Sequence, residues 1–248
     1  MKKIMIILLA AVVAAVGLTA CGDGIRPVSL SVTENHREIR DEGGLLLVDT
    51  VLDSIDCSGG GEDAAGRINA FFYQNYIRPA DNTIYEMSEY MTQPSGESDP
   101  GMSCYYARNV SAGRSDESVF VLKVHERQYY SGQVNETQLR TAICFDPVTG
   151  TQLELSDLGA DGSDPSDRIA RLFARELMSG EYSHGLLTEE EAVRAIGVMI
   201  RRDVWYLDQS GLVLICNEQA LSEESELLEL RLDKEQLAGV VDERWFEQ

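Results

Sequence analysis

The three histidines, His36, His125 and His184, are the side chains best suited to metal binding or acid–base catalysis in this chain. The zinc-protease motif HExxH requires a second histidine on the same helical face as the first. Residues 125–129 read HERQY and lack that second histidine. A zinc-dependent deacetylase needs histidines and aspartates that converge on one metal ion, and the sequence contains no such cluster. We therefore expect no metal and no cofactor.

Acidic residues could bind calcium, or a pair of carboxylates could catalyse hydrolysis. Residues 157–167, DLGADGSDPSD, are acidic and rich in glycine, but Pro165 stands where an EF-hand loop needs a ligand. This segment is predicted to cap a helix. Asp146 and Asp157 could act together in hydrolysis only if the fold places them side by side. Because the chain also lacks a GxSxG elbow and a P-loop, we predict that it is not an enzyme.

Four cysteines follow the N-terminal region: Cys57, Cys104, Cys144 and Cys216. An even number in an oxidising compartment permits two disulfides. The absence of a CxxC pair, the wide spacing and the few histidines argue against a zinc knuckle. Three of the cysteines lie at the ends of apolar, strand-like runs. We predict the pairs Cys57–Cys104 and Cys144–Cys216, with four buried free thiols as the alternative.

The first 20 residues predict a lipoprotein signal peptide. Two lysines open the chain, and residues 4–16 are apolar and uncharged. This run is shorter than the about 20 residues that span a membrane and is typical of a signal peptide. The segment LTAC at 18–21 then resembles the bacterial lipobox, in which the cysteine thiol is diacylated and the chain is cut just before it. We predict lipidation of Cys21, a tether over 21–27, and an extracytoplasmic protein that is lipid-anchored to the bacterial cell membrane.

The composition is strongly acidic. The chain has 42 Asp and Glu against 21 Lys and Arg, which gives a formal net charge of −21 at pH 7. Such a surface disfavours binding to nucleic acid and to anionic lipid headgroups, and it attracts cationic ligands or proteins. Solubility beside a membrane is the alternative explanation for this charge. The length allows one large domain or two small ones with a hydrophobic core.

The N-terminal half predicts a hairpin followed by a helix. Residues 28–39 and 45–56 read as strands, and Gly43 and Gly44 supply the turn between them. Residues 80–102 are mostly polar and are predicted to form a loop. The apolar residues that share one face of the predicted helix are Ala65, Ile68, Phe72 and Tyr76.

Two strands follow, at 118–130 and 140–146, and the second ends in a turn at 147–150. The first strand alternates in its second half. Its apolar face carries Phe120, Leu122 and Val124, and its polar face carries Lys123, His125 and Arg127. His125 is therefore predicted to be a solvated side chain.

The C-terminal half predicts two capped helices, a hairpin, a strand and a short last helix. Asp164 and Pro165 begin one helix, and Thr188 with Glu191 forms the capping box of the next. The hairpin turns at 209–211, and the last strand is at 227–232. Apolar helix positions are Ile169, Leu172, Phe173 and Leu177, then Val193, Ile196 and Ile200. Together these elements predict an α+β fold with a mostly antiparallel sheet and a few helices packed on one face.

Three segments give this order of elements a resemblance to a known family: INAFF at 68–72, FDPVTGTQLELSDL at 145–158 and VWYLDQSGLVLIC at 204–216. The C-terminal half resembles the RsiV-like extracytoplasmic domain of unknown function, which occurs in lysozyme-sensing anti-sigma factors. The N-terminal half resembles the PdaC-type module, which also occurs beside peptidoglycan deacetylase domains. The resemblance implies two α+β halves, at 28–131 and 132–246.

Two loops depart from that family. Residues 129–140 read YYSGQVNETQLR and lack the family's histidine-containing glycine segment, and residues 217–225 read NEQALSEES. The resemblance implies a membrane-anchored, non-catalytic binding module of the cell envelope, whose partner is cell-wall glycan or a cationic protein such as lysozyme. The alternatives are a peptidoglycan-acting enzyme or accessory and a structural lipoprotein that assembles with other proteins.

Overall fold

The computed structural model describes residues 26–93, 103–179, 188–221 and 226–247. Within these ranges, no helix is both long enough and apolar enough to cross a membrane. The predicted signal peptide, Cys21, most of the tether and His184 lie outside the described residues.

The larger of two sheets has five strands in chain order, and it opens with the predicted hairpin. The strand β2 pairs with β3 in parallel, and the other neighbours are antiparallel. The turn of the hairpin places Gly44 at φ +86°, a conformation that glycine adopts without strain. The five strands are β1 Ser29–Arg40, β2 Leu46–Ser58, β3 Cys104–Ser115, β4 Phe120–Tyr129 and β5 Thr137–Phe145.

A helical crossover joins the two parallel strands, as parallel pairing requires. It consists of α1 (Ala64–Phe72), a π turn (Tyr73–Ile77) and α2 (Arg78–Thr92). The loop predicted over 80–102 is therefore wrong for residues up to Thr92. The reason is that Ala80, Ile84 and Met87 recur at helical spacing, and all three are buried against the first sheet.

The smaller sheet is antiparallel, in the order β6–β7–β8, and the predicted hairpin at 209–211 joins its first two strands. The predicted capping box is present, because the Glu191 amide donates to the Thr188 hydroxyl and the Thr188 amide donates to the Glu191 carboxylate. The elements of this part are α3 Ser166–Ser179, α4 Glu189–Met199, β6 Trp205–Leu207, β7 Gly211–Cys216, β8 Leu228–Asp233 and α5 Lys234–Leu237.

The alternation of β4 sends its apolar side chains into two cores. Phe120 and Leu122 pack with α1 on one face of the first sheet, and Val121 joins the core that contains α3, α4 and the second sheet. The α+β class with mostly antiparallel strands is confirmed. One face of the first sheet carries the helical crossover, and α3 and α4 belong to the other core.

The two predicted halves share one sheet. The boundary predicted between residues 131 and 132 falls in the connection from β4 to β5, and these strands pair along their full lengths. Phe145 of β5 packs in the same core as Phe72 of α1. The predicted boundary therefore does not separate two structural units, because the last strand of the first sheet comes from the second half.

A buried arginine fastens the helical crossover to the sheet. Arg108 of β3 is 1% exposed, and its guanidinium donates to the carbonyl oxygens of Tyr76 at 2.7 Å and Asp53 at 3.0 Å. It also lies 5.3 Å from the centre of the Phe72 ring. The Tyr76 carbonyl belongs to the π turn, where the helical hydrogen-bond pattern is irregular. Arg108 therefore supplies a donor where the crossover changes its geometry.

A second buried arginine connects the sheet to the C-terminal end. Arg114 of β3 donates to the carbonyl oxygen of Trp245 at 2.5 Å and pairs with Asp116. It also donates to the carbonyl oxygen of Asp208 at 3.3 Å. These contacts hold together segments that are far apart in the sequence.

Candidate functional site

The outer face of the first sheet, opposite the helical crossover, carries a group of basic side chains. The predicted polar face of β4 is confirmed, since Leu122 and Val124 are buried under α1 and the alternating residues are only partly buried. The register places Arg140 of β5 directly opposite His125. We call the set Lys123, His125, Arg127 and Arg140 the basic stripe.

The register of β4 and β5 brings these four side chains close together. Directly opposed residues on one face have Cβ atoms about 5 Å apart, and diagonal neighbours remain within reach of long side chains. Arg127 lies opposite Gln138, so it is the diagonal neighbour of Arg140. None of the four forms an ion pair with an acidic side chain within the described ranges. The stripe is therefore a concentrated positive charge on an acidic protein.

Aromatic rings support both ends of the stripe. The Lys123 ammonium lies 3.7 Å from the centre of the Tyr206 ring, and the Arg127 guanidinium carbon lies 5.6 Å from that of Tyr105. Arg127 also donates to the Tyr105 hydroxyl at 3.1 Å. Cation–π contacts of this kind hold a cation in place without neutralising it.

His125 lies at the centre of the stripe. Its Nε2 atom is 3.2 Å from Oε1 of Gln138. Partial burial lowers the pKa of His125 below its usual value, and the nearby charges of Arg140 and Arg127 lower it further. The Gln138 hydrogen bond and the more distant Glu136 act in the opposite direction. The imidazole is therefore mainly neutral at pH 7.

Arg140 is held at its backbone and has a free donor on its side chain. The side-chain amide of Asn217 accepts from the Arg140 amide at 2.7 Å and donates to the Arg140 carbonyl at 2.9 Å. This pairing fixes β5 against the end of β7. The Nε atom of Arg140 is buried and has no hydrogen-bond partner among the residues that the structure describes.

Acidic residues occupy the opposite side of the same face. Asp49 of β2 lies two strands away from β4, and its Oδ1 atom lies 2.6 Å from Nε2 of His36. Glu38 of β1 lies opposite Asp49 in the register. On this side of the sheet the carboxylates have basic partners, since Glu38 pairs with Arg40 at 2.8 Å, whereas the basic stripe lies on β4 and β5.

Comparison with solved structures identifies the fold. A DUF3298 family protein from Bacteroides fragilis matches with a TM-score of 0.61 and 14% identity, over 86% of this chain and 93% of its own. A DUF3298 family protein from Pseudomonas aeruginosa matches with a TM-score of 0.56 and 13% identity, over 91% of this chain and 98% of its own. No family model matches the sequence, and comparison with curated proteins finds no match.

The chain has the fold of these DUF3298 proteins. Their description agrees with the predicted likeness to a domain of unknown function. At such low identity the match extends to the fold alone.

The four cysteines are buried free thiols. Cys104 lies opposite Val48, at the other end of β2 from Cys57. At about 3.3 Å per residue along a strand, this separation is on the order of 30 Å. A disulfide allows about 7 Å between Cα atoms. The predicted Cys57–Cys104 bridge is therefore incompatible with the register, and Cys144 and Cys216 lie unbridged in one core.

The carboxylates considered above for hydrolysis or calcium binding accept hydrogen bonds from backbone amides in local turns. Asp146 accepts from the amide of Val148 at 2.7 Å, and Asp157 accepts from the amide of Glu154 at 2.8 Å. Asp164 accepts from the Ser166 amide at 2.9 Å, which agrees with its predicted role at the start of α3. Within the described residues, no group of three or more His, Cys, Asp or Glu side chains is arranged to hold a metal ion.

The sequence identified part of the stripe. Alternation along β4 placed Lys123, His125 and Arg127 on one face, but Arg140 became part of the set only through the pairing of β4 with β5. Tyr105 was missed together with its strand. The available signal was the period of two along β5, which assigns Gln138 and Arg140 to one face of the strand.

Proposed function

We propose that the protein is a membrane-anchored, non-catalytic binding module of the bacterial cell envelope, and that its basic stripe binds anionic cell-wall glycan. It would combine an RsiV-like C-terminal part with a PdaC-type N-terminal part and be anchored through Cys21. The observation that carries the proposal is the stripe itself, four basic side chains grouped on one face of a chain with a net charge of −21.

The chemistry of the stripe suits carboxylate and phosphate groups. Arginine presents donors in a planar fork that matches both anions, and hydrogen bonds to charged groups are stronger than neutral ones. Peptidoglycan carries carboxylates on its peptide units, and other wall polymers carry phosphates. The Tyr105 ring beside Arg127 adds an amphipathic surface that fits a sugar ring.

Binding of soluble muropeptides to the purified full-length protein tests this proposal by calorimetry. We expect the double variant Arg127→Gln/Arg140→Gln to lose at least tenfold in affinity. The matched control is Arg171→Gln/Arg194→Gln, which removes two exposed charges from α3 and α4. Equal losses in both variants would indicate unspecific charge attraction. Unchanged binding in the stripe variant would refute the assignment of the site.

A cationic protein such as lysozyme is a second candidate partner, favoured by the net charge of −21. The outward side of α2 adds Glu86 and Glu89 beside Tyr85, which is 61% exposed. Titration with a basic muramidase at low and at physiological salt separates the cases. Binding that survives physiological salt supports a specific protein partner, and binding that disappears reflects screened charge attraction.

A further inference from the structure

His125 is surrounded by positive charge from three sides. Arg140 lies directly opposite on β5, Arg127 and Lys123 are the next residues on the same face of β4, and the neutral Asn109 lies opposite on β3. On the β5 side the only acidic side chain acting on it within the described residues is Glu136, which accepts a hydrogen bond from Gln138 at 3.0 Å.

We propose that Arg127, His125 and Arg140 form a clamp for one carboxylate or phosphate group, and that His125 takes up a proton when this group binds. The inference rests on the proposed function, because it assigns the ligand's anionic group to the same stripe. The group would lie between the two guanidinium groups and over the imidazole.

Arg140 and His125 each carry a nitrogen atom that could serve this group. The buried Nε of Arg140 has no partner among the described residues. The imidazole has one nitrogen, Nε2, at Gln138 and the other nitrogen available for a proton. A bound anion therefore meets two guanidinium groups and, after protonation, a third donor on the imidazole.

The coupling to protons follows from the charges. Without ligand, a proton on His125 is opposed by the two arginines and by partial burial, which lower the pKa of His125. An anion bound between the arginines reverses the sign of the local potential and raises the pKa of the imidazole. Because the complex then holds more protons than the free protein, affinity increases as the pH falls.

Calorimetric titration with soluble muropeptides at pH 7.5 and pH 5.5, at constant ionic strength, tests the proposal on the purified full-length protein. The attraction of an anion about 4 Å away in a water-like environment limits the gain to about fivefold, so binding should be tighter at pH 5.5 than at pH 7.5 by up to that factor. Repeating the titration in buffers with different heats of ionisation measures the proton uptake directly. A second titration series with poly(glycerol phosphate) distinguishes phosphate from carboxylate as the preferred group.

The variant His125→Gln should still bind at pH 7.5 and lose the pH dependence. His36→Gln and His184→Gln are the matched controls, and each should retain the pH dependence of the wild type. Binding by the wild type that depends on Arg127 and Arg140 but not on pH would overturn the proton coupling alone. If the protein binds neither the muropeptides nor poly(glycerol phosphate) at either pH, the proposed function is overturned as well.

Discussion

Replacement of Asn217 tests how the second sheet is fastened to the first. The Asn217 side chain makes two hydrogen bonds to the backbone of Arg140, at 2.7 and 2.9 Å. A hydrogen bond contributes about 1 kcal/mol net, and a backbone group left unpaired away from water costs about 1–3 kcal/mol. Since this site is partly buried, we expect Asn217→Ala to lower the free energy of unfolding by about 2–3 kcal/mol. Asn217→Asp keeps the acceptor and loses the donor, so about half of that loss is expected.

Urea unfolding followed by circular dichroism measures this loss as a shift of the midpoint at constant slope. The matched control is Asn82→Ala, because Asn82 is exposed on α2. If Asn217→Ala and Asn82→Ala unfold at the same urea concentration, the amide of Asn217 does not hold the two sheets together. The reasoning would then be refuted.

Three further predictions concern the core, the pH dependence and the thiols. Ile68→Ala should lower the free energy of unfolding by about 2–5 kcal/mol in urea, because Ile68 is fully buried under the first sheet; the exposed Gln74→Ala should leave it unchanged. Burial raises the pKa of Asp53, so its contribution to stability is present at low pH and lost as the pH rises through the raised value. Asp53→Asn should flatten that decline in urea midpoints measured from pH 3 to pH 7. Burial raises the pKa of the Cys144 thiol to about 12 and that of Cys57 to about 12, so iodoacetamide at pH 8 should label these residues only after unfolding. A disulfide-linked peptide in the mass spectrum would contradict this expectation.

The sequence predicted those elements whose signals are local. The β1–β2 hairpin follows from two strand-like runs around Gly43 and Gly44. The start of α4 follows from the spacing of Thr188 and Glu191, which is a property of four successive residues. The two faces of β4 follow from the alternation of Leu122 and Val124 with Lys123 and His125. Each of these patterns is complete within one short segment.

Two elements, α2 and β3, have local sequence signals that conflict with the structure they adopt. The helix α2 is mostly polar and contains Pro79 in its first turn, a position that a helix tolerates. The strand β3 carries Arg108 on its buried face, which interrupts the expected alternation. Its partner β2 is separated from it by a helical crossover, and pairing of that kind has no local signature.

The same limitation explains the wrong cysteine pair and the incomplete site. The strand-end position of Cys57 was predicted, but only the register shows that Cys104 of β3 lies beside the opposite end of β2. Likewise, Arg140 joins His125 because β4 and β5 are neighbours. Which residues of two strands lie side by side depends on how the strands pair, and the sequence pattern of one strand does not predict that pairing.

The hydrogen bond from Arg114 to Trp245 has a consequence for the order of folding. It closes a loop between residues 131 positions apart, and the entropy cost that grows with loop length is about 4 kcal/mol for such a loop. Hairpins such as β1–β2 and β4–β5 close much shorter loops and can form earlier. We therefore expect the C-terminal end to attach to β3 late in folding, so that a chain that has lost its last few residues would still form the hairpins but leave Arg114 without its final acceptor.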